Sequence, residues 1–145
     1  DQPVAGANLR TRAGDDSALK LCLMFDLPLE RLGLWERQLL RLARASSGEA
    51  LPAATLCYVW DATLPAGTLL PNAYSPRVRF LVLDGADAPL GRWRTHERSI
   101  AADFLRAFGH ETTEVPPLLA VVAGADSDNT GGSSLSFLGD VQWVR

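Results

Sequence analysis

The sequence has 145 residues, of which 47% are apolar and 21% are charged, and its formal net charge is −3. A chain of this length can bury a hydrophobic core without a metal or a disulfide, and the composition is typical of globular proteins. The weak acidic balance provides no basic surface, so we predict no nucleic-acid partner. No apolar run is long enough for a transmembrane helix, and we predict one domain over residues 1–145.

The start of the chain predicts no regular structure. Residues 1–17 are polar and rich in glycine and aspartate, which is typical of an arm or loop. No basic segment followed by an apolar stretch is present there, so no signal peptide is visible. Because the chain begins with Asp1 rather than methionine, we expect a processed or truncated product.

The first strand and the first helix are predicted directly after this arm. Residues 19–25 place large apolar side chains at every second position, the pattern of a strand with one face on a core. Residues 28–45 carry leucines and Trp35 at steps of three and four, the pattern of an amphipathic helix. We expect Trp35 to lie in the core with the rest of this apolar stripe.

The middle of the chain predicts two more strands with a long loop between them. Residues 56–60 and 77–83 have strand length and are rich in β-branched, aromatic and other apolar residues, although the second stretch also carries Arg77 and Arg79. Residues 61–76 contain three prolines, a glycine and an asparagine, too many breakers for regular structure. Long loops of this kind in compact domains are often functional or mobile.

A fourth strand and a second helix are predicted next. Residues 91–97, centred on Trp93, have the composition of a strand. Ser99 is a predicted N-cap for a short helix, and Gly109 is its C-terminal stop.

The last third of the chain predicts two further strands. The unbroken apolar run at 118–123 is typical of a strand buried on both faces. Residues 126–134 form a polar loop before a last strand, 135–143, whose Trp143 we expect in the core. About six strands and two helices without a regular βαβ alternation favour a mainly β fold. We predict an antiparallel β-sandwich or jelly roll with two helical insertions.

Seven short motifs occur in a distinctive order. They are T-R-A-G-D-D at 11–16, L-C-Y-V-W at 56–60, G-x-x-x-P-N-A-Y at 67–74, L-G-R-W-R-T-H-E-R at 90–98, A-D-F-L-R-A-F-G at 102–109, D-S-D-N-T-G at 126–131 and L-G-D-V at 138–141. Together they resemble the bacterial domain-of-unknown-function 3047 family over nearly the whole chain.

This resemblance implies a location and a set of relatives but no activity. It implies that the chain covers the later two-thirds of the family domain, without the N-terminal strands and the secretion signal of longer members. A periplasmic or secreted location follows from the same resemblance. Relatives tend to carry asparagine at the position of Cys57, so a polar role there would be lost in this chain. The late Asp/Asn-rich loop and closing strand are similar to those of jelly-roll carbohydrate-binding modules, which is an analogy of fold alone.

The D-S-D-N-T-G motif predicts a calcium site. Asp126, Asp128, Asn129 and the carbonyls near them offer several hard oxygen ligands within one loop. The loop is not an EF-hand, because Phe137 stands where that motif requires a bidentate glutamate. The alternative is a turn in which side-chain oxygens cap backbone amides. The remaining calcium ligands would come from Asp140, or from Asp15 and Asp16.

Paired acids before the first strand are a second candidate site. Asp15 and Asp16 are adjacent, and neighbouring side chains on an extended chain point to opposite faces. A hydrolase would instead pair one of them with Asp126 or Asp128 across a cleft, with one carboxyl of raised pKa. The structural alternative is a turn in which an acid caps amides or pairs with a nearby arginine, Arg10 or Arg12.

Aromatic side chains predict a surface on which sugar rings could stack. Tyr74 is the best exposed candidate because it lies in the breaker-rich loop, and Trp93 lies between two arginines. Tyr58 and Trp60 share a strand face with an apolar residue, so a core position is favoured for both. The predicted ligand-binding residues are Tyr74, Trp93, Asn72, Arg77, Trp60 and Tyr58.

No catalytic constellation is visible in the sequence. It contains no G-x-S-x-G, no H-E-x-x-H and no glycine-rich phosphate loop. His96 could form an acid–base pair with Glu97, but adjacent strand residues face opposite ways, so we predict that His96 lies on the surface. We therefore predict no catalytic residues and favour a protein without enzymatic activity.

The two cysteines leave alternatives open. Cys22 and Cys57 form no zinc-binding pattern, and the favoured interpretation is two small buried apolar side chains. Both lie opposite the large apolar faces of their strands. A cross-strand disulfide would therefore require that the two strands are neighbours and that the compartment is oxidising.

We expect a bacterial envelope protein with a non-catalytic binding domain that recognises a glycan or another envelope component. The first alternative is a hydrolase that acts on a saccharide or an envelope polymer. The second is a scaffolding or assembly protein, because a domain that lacks strands leaves an open sheet edge that can pair with another chain.

Overall fold

One mixed sheet of five strands organises the fold in the computed structural model, which describes residues 3–48 and 51–144. Each strand is antiparallel to its neighbours except for one parallel pair, the second and fourth strands. Two α-helices accompany the sheet. The elements are β1 (Ser17–Phe25), α1 (Leu34–Ser47), β2 (Ala54–Trp60), β3 (Leu69–Pro71), β4 (Val78–Asp84), α2 (Ile100–Phe108) and β5 (Leu118–Asp126), and the order in the sheet is β3-β4-β2-β1-β5.

The mainly β prediction is confirmed, and the sandwich is not. The described residues form a single open sheet, and its parallel β2–β4 pair departs from the all-antiparallel arrangement that we predicted. The first two residues of the predicted arm lie outside the described residues. No helix among the described residues is long and apolar enough to cross a membrane.

Each face of the sheet has its own apolar core. On the face that we call the helix face, Leu23, Phe25 and Leu56 pack with α2, and the rings of Phe25 and Phe104 lie 4.5 Å apart. A fully buried phenylalanine of this kind contributes about 1.5–3 kcal/mol. The opposite face, the arm face, is covered by Leu9 of the N-terminal arm and Leu64. Its sheet side chains are Cys57, Val59, Leu70, Phe80 and Val82.

Helix α2 begins and ends where the sequence predicts. Ser99 is its N-cap, and the Ala102 amide donates a hydrogen bond to the Ser99 hydroxyl oxygen at 3.3 Å. This bond satisfies one of the amides that lack a partner at a helix N-terminus. Phe104 and Phe108 turn toward the helix face of the sheet and are fully buried, and Gly109 is the C-cap.

Helix α1 turns its apolar stripe away from the core, so the predicted core position of Trp35 is wrong. The Trp35 side chain is 77% exposed, and Leu39 and Leu42 on the same stripe are also exposed. The helix is attached through another side, where Glu36 pairs with Arg77 at 3.3 Å and only Leu40 is buried. Periodicity located the apolar stripe, but the polar contacts of α1 decide which side faces the sheet.

Two predicted strands are not strands in the structure. Residues 91–97 form no strand, and residues 135–143 form a single bridge, at Leu135. Trp143 is exposed, so its predicted core position is also wrong. The long loop predicted at 61–76 contains the short strand β3, which pairs antiparallel with β4; its three residues, ending in a proline, are too few to give a strand pattern in the sequence.

The apolar run at 118–123 does form a strand, but it is not buried on both faces. β5 is the last strand of the sheet and pairs only with β1. Val121 is 38% exposed and Val122 is 45% exposed, and these two side chains point to opposite faces because they stand opposite Leu23 and Cys22 of β1. The composition of a buried strand therefore occurs here at an open edge.

Cys22 and Cys57 are joined by a disulfide, so the interpretation of two free buried thiols is wrong. The two residues face each other directly in the antiparallel β1–β2 ladder, with 3.9 Å between their Cα atoms. The two conditions stated from the sequence were neighbouring strands and an oxidising compartment. The structure meets the first of them.

Candidate functional site

Three of the sequence motifs, far apart along the chain, meet beside the start of β1. They are T-R-A-G-D-D at 11–16, the P-N-A-Y end of the motif at 67–74, and D-S-D-N-T-G at 126–131. Hydrogen bonds join all three: the Asn72 side chain donates to Asp15, and the Asn129 side chain donates to Asp16. This convergence, which we call the motif junction, is the first candidate site.

Asp16 anchors the loop that follows β5. The backbone amides of Asn129 and Thr130 donate to its two carboxylate oxygens at 3.2 and 2.7 Å. Burial alone would raise the pKa of Asp16, but the hydrogen bonds from Thr130 and Asn129 outweigh it and lower the pKa. The charged form is therefore favoured, and the carboxylate has a structural task of the kind that the turn alternative predicts.

Asp15 has the opposite electrostatic environment. It is buried, and one of its oxygens accepts a hydrogen bond from the Asn72 amide nitrogen at 2.5 Å. Its other oxygen has no hydrogen-bond partner among the residues that the structure describes. Burial raises the pKa of Asp15, and the Asn72 hydrogen bond and the charge of Lys20 oppose this only in part. Neither acid pairs with Arg10 or Arg12, the alternative considered from the sequence.

Tyr74 is the exposed aromatic side chain of the junction, as predicted. Its ring is 54% exposed, and its hydroxyl lies 3.1 Å from both the Arg12 carbonyl oxygen and the Asn129 side-chain oxygen. The Arg12 guanidinium lies 5.3 Å from the ring centroid and donates to the Ala73 carbonyl oxygen. The ring is therefore held in one orientation while more than half of it stays exposed.

The other predicted stacking residues do not form one surface with Tyr74. Tyr58 is buried and donates to Asp103 at 2.9 Å, and burial raises its pKa. Trp60 is half-buried at the end of β2. Trp93 is 73% exposed, as predicted, but its ring neighbour is Phe137 at 6.4 Å. No described contact joins Trp93 to the motif junction.

Arg77, predicted to contact a ligand, belongs to an ion network under α2. Its guanidinium donates to both oxygens of Glu111, at 2.5 and 2.9 Å, and is buried. Arg79 donates to the same carboxylate and lies over the Phe108 ring. Burial would raise the pKa of Glu111, but the two arginines outweigh it and lower the pKa. The arrangement ties the C-terminal end of α2 to the sheet.

The two histidines lie at the ends of ion-paired clusters. His96 approaches Asp84 at 2.8 Å, and Arg94 approaches the same carboxylate at 2.7 Å. These contacts attach the segment before α2 to the end of β4. His110 has an exposed side chain 3.1 Å from Glu111. Neither histidine has a nucleophilic side chain as its partner.

The acids of the predicted calcium site partly come together. Asp16, Asp126 and Asp128 each place an oxygen within 4.8 Å of the others. Asp126, however, already accepts the Ser17 amide at 2.8 Å and the Lys20 ammonium at 2.5 Å. Asp128 is exposed, and the Asn129 oxygen faces the Tyr74 hydroxyl. Asp140 is exposed and is not part of this group.

Lys20 is a member of the site that sequence reasoning missed. It is the only lysine of the chain, and it pairs with Asp126 across 106 residues of sequence. The chain has 14 lysine and arginine residues, of which 13 are arginines, so the single lysine was the signal that the sequence offered. A lone lysine on a strand face gives no indication of a partner so distant along the chain.

The open edge of β5 is the second candidate site. From Leu118 to Ala125 the strand carries no charged side chain and no proline. Its pairing with β1 is regular from Ala120 to Gly124, with irregularities nearer each end. An edge of this length without charges or prolines is the form that pairs most readily with another strand.

Comparison with known proteins gives one finding. No curated protein and no solved structure shows a significant match to this chain. A protein-family model described as "Protein of unknown function (DUF3047)" matches residues 1–142. The finer expectation, that the chain covers only the later two-thirds of the family domain, is not supported by this match, which extends over essentially the whole chain. The chain belongs to the family of proteins of unknown function DUF3047.

Proposed function

We propose that the protein is a non-catalytic assembly domain of the bacterial cell envelope that accepts a strand from another polypeptide at the β5 edge. The observation that carries this proposal is the exposure of apolar side chains on both faces of a nine-residue edge strand. Strand addition to a free sheet edge is a common mode of peptide recognition.

The chemistry of β5 supports an apolar partner strand. Main-chain hydrogen bonds to the edge would provide affinity, and alternate side chains would contact β5 neighbours on each face. Leu118 and Val121 lie on one face of the sheet and Val122 lies on the other, because they stand opposite Phe25, Leu23 and Cys22 of β1, and all three are exposed. A partner strand with apolar side chains on both faces would remove these groups from water, at about 25 cal/mol for each Å² buried.

Binding of a model peptide tests the proposal. The probe is a fluorescent nine-residue peptide of apolar β-branched residues, flanked by charged residues for solubility, and its binding is followed by anisotropy. We expect binding to the wild type and at least about tenfold weaker binding to Val122→Lys, since the lysine would place a charge beside the apolar side chains of the partner strand on the same face. Val115→Lys is the matched control, because Val115 is 38% exposed and lies off the edge.

Either of two results would count against an assembly role for this edge. One is the absence of binding by the wild type, and the other is equal binding by the wild type and Val122→Lys. A peptide with a central proline, which cannot complete the ladder, should not bind.

The disulfide supports the envelope location. Disulfides persist in oxidising compartments such as the periplasm and are rare in the cytosol. We therefore expect Cys22 and Cys57 to resist alkylation when the protein is purified from its native host without reductant. Quantitative alkylation of both thiols under those conditions would contradict a periplasmic or secreted location.

A second candidate function is glycan binding at the motif junction, which the fixed and exposed Tyr74 ring favours. Sugar rings stack on aromatic faces, and a ring held by hydrogen bonds loses little side-chain entropy on binding. In a soluble-glycan panel we expect any bound glycan to lose affinity in Tyr74→Ala. Trp93→Ala serves as the matched control, because Trp93 is exposed but lies outside the junction.

The hydrolase and calcium proposals have weaker support. Both need free carboxylate oxygens, and those of Asp16 and Asp126 already accept hydrogen bonds from the chain. Thermal unfolding with calcium and with a chelator tests the metal site. A calcium-dependent rise in the melting temperature that is lost in Asp128→Ala would establish the site, and no shift would leave the loop as a turn.

A further inference from the structure

We infer that the strand which completes the β5 edge is the β5 strand of a second copy of this chain, paired antiparallel about a two-fold axis at Val122. This inference rests on the proposed function, because it names the occupant of the same edge. The result would be one continuous ten-stranded sheet, since each copy contributes five strands. Two-fold interfaces of this kind use the same surface in both subunits.

The distribution of side-chain size along β5 favours an antiparallel copy. The large residues stand in the first half of the strand, and Ala123, Gly124 and Ala125 stand in the second half. A two-fold axis perpendicular to the sheet at Val122 places each residue opposite one of the same face. Within the regular stretch, Val121 then faces Ala123 and Ala120 faces Gly124 of the second copy, so each larger side chain meets a smaller one.

A parallel or shifted arrangement loses this fit. In a parallel pair in register, the leucines of one copy would lie beside the leucines of the other, and the small residues would lie beside small residues. The axis at Val122 is also the midpoint of Leu118–Asp126, and because Leu119 is an extra residue between the partners of Phe25 and Met24, the regular pairs are those of Ala120–Gly124. It coincides with the centre of the stretch Ala120–Gly124, over which β5 is in regular register with β1.

The hydrogen bonds of the regular stretch fix the register of the pair. The five facing pairs of Ala120–Gly124 form about four to six backbone hydrogen bonds, since alternate pairs exchange two each.

Charge does not oppose this pairing. No charged residue lies between Leu118 and Ala125. Asp126, at the end of the strand, comes opposite Leu118 of the other copy, and its carboxylate is already paired with Lys20. No two like charges therefore face each other along the interface.

Sedimentation equilibrium of the full chain tests the pairing. We expect a concentration-dependent dimer for the wild type and at least about a tenfold rise in its dissociation constant for Val122→Lys. In that variant the two lysines would face each other directly at the axis. Val115→Lys adds the same charge at an exposed valine off the edge and should dimerise like the wild type. Circular dichroism of each variant shows whether it remains folded.

A photo-crosslinking residue at position 122 gives an independent measurement. It should link two copies to each other through the same position, and the same residue at position 115 should not. A wild type that stays monomeric, or a dimer that Val122→Lys leaves intact, overturns the inference. If that monomer still binds the apolar peptide through β5, only self-pairing is lost, whereas failure of both experiments overturns the proposed assembly function as well.

Discussion

The two edges of the sheet differ in length and in protection. β3 is three residues long and ends in Pro71, which has no backbone N–H to offer another strand. β5 is nine residues long, apolar and exposed, and carries neither a proline nor a lysine. Short edges and prolines are devices by which proteins prevent unwanted strand pairing. The β5 edge lacks both of these devices, although its pairing with β1 is irregular near each end, so it is the edge that another strand would join under the proposed function.

The disulfide lies between these edges, and its removal should have the largest effect. Cys22 and Cys57 close a loop across 35 positions of sequence, which in the chain-entropy model stabilises the fold by about 4 kcal/mol. We expect Cys22→Ala/Cys57→Ala to lower the free energy of unfolding by about that amount in urea. Hydrogen exchange should show the larger loss of protection in β5, because β5 is attached only to β1.

Two outcomes would contradict this expectation. Equal stability of the oxidised wild type and the double variant would mean that the disulfide closes a loop that is already ordered in the unfolded chain. Equal loss of hydrogen-exchange protection in β3 and β5 would mean that the sheet opens as one unit. The two edges would then differ in structure but not in local stability.

Gly85→Ala should destabilise the β3 edge of the sheet. A Cβ at Gly85 would lie 2.5 Å from the Leu64 carbonyl oxygen and from the Ala66 amide nitrogen, both in the loop that leads to β3. Backbone atoms cannot move aside as a flexible side chain can, so we expect a loss of about 3 kcal/mol in unfolding free energy. Gly67→Ala tests the alternative cause, because Gly67 has a positive φ but open space around it. If the loss comes from the close approach, Gly67→Ala should cost only about 1 kcal/mol.

Sequence patterns located most of the sheet because strand periodicity is a local property. The residues of β1, β2, β4 and β5 were all predicted from runs of apolar residues, and α2 was predicted from Ser99 and its apolar positions. β3 was not, since its three residues become a strand only through pairing with β4.

The same patterns failed where the question was what lies against an apolar face. Trp35 and Val122 belong to patterns typical of buried elements, yet both are exposed. A period shows that side chains share a face, but not whether another element covers that face. The contact of Asp15 with Asn72 was missed for a similar reason, because it spans 57 residues of sequence. The approach of Asp16 to the loop at 126–131 was considered from the sequence only as a way to complete a calcium site or a hydrolase pair.

Asp16→Asn should weaken the β5 side of the fold. Asp16 holds the loop after β5 by accepting amides from Asn129 and Thr130, and hydrogen bonds to a charged group contribute about 1.5–3 kcal/mol. We expect a loss of about 2 kcal/mol at neutral pH. Because the pKa of Asp16 is lowered in the folded state, its contribution is present above the ordinary value of 3.8 and is lost as the pH falls through the folded-state pKa. If the unfolding free energy of the wild type falls no more in acid than that of Asp16→Asn, this role is contradicted.

Asp15→Asn should change the free energy of unfolding least of these substitutions, and it should raise it where the others lower it. Asp15 bonds the turn after β3 through Asn72, just as Asp16 bonds the loop after β5. Its pKa is raised by burial, so its stabilising contribution is present below 3.8 and is lost as the pH rises through the folded-state pKa. An asparagine oxygen can still accept from Asn72, and the buried charge disappears, so we expect a gain of under about 1 kcal/mol at neutral pH. The gain should vanish below the ordinary pKa. A loss of stability would instead show that the charge of Asp15 is needed beside Lys20. The difference between Asp15 and Asp16 would then come from the groups that each carboxylate contacts and not from how deeply each is buried.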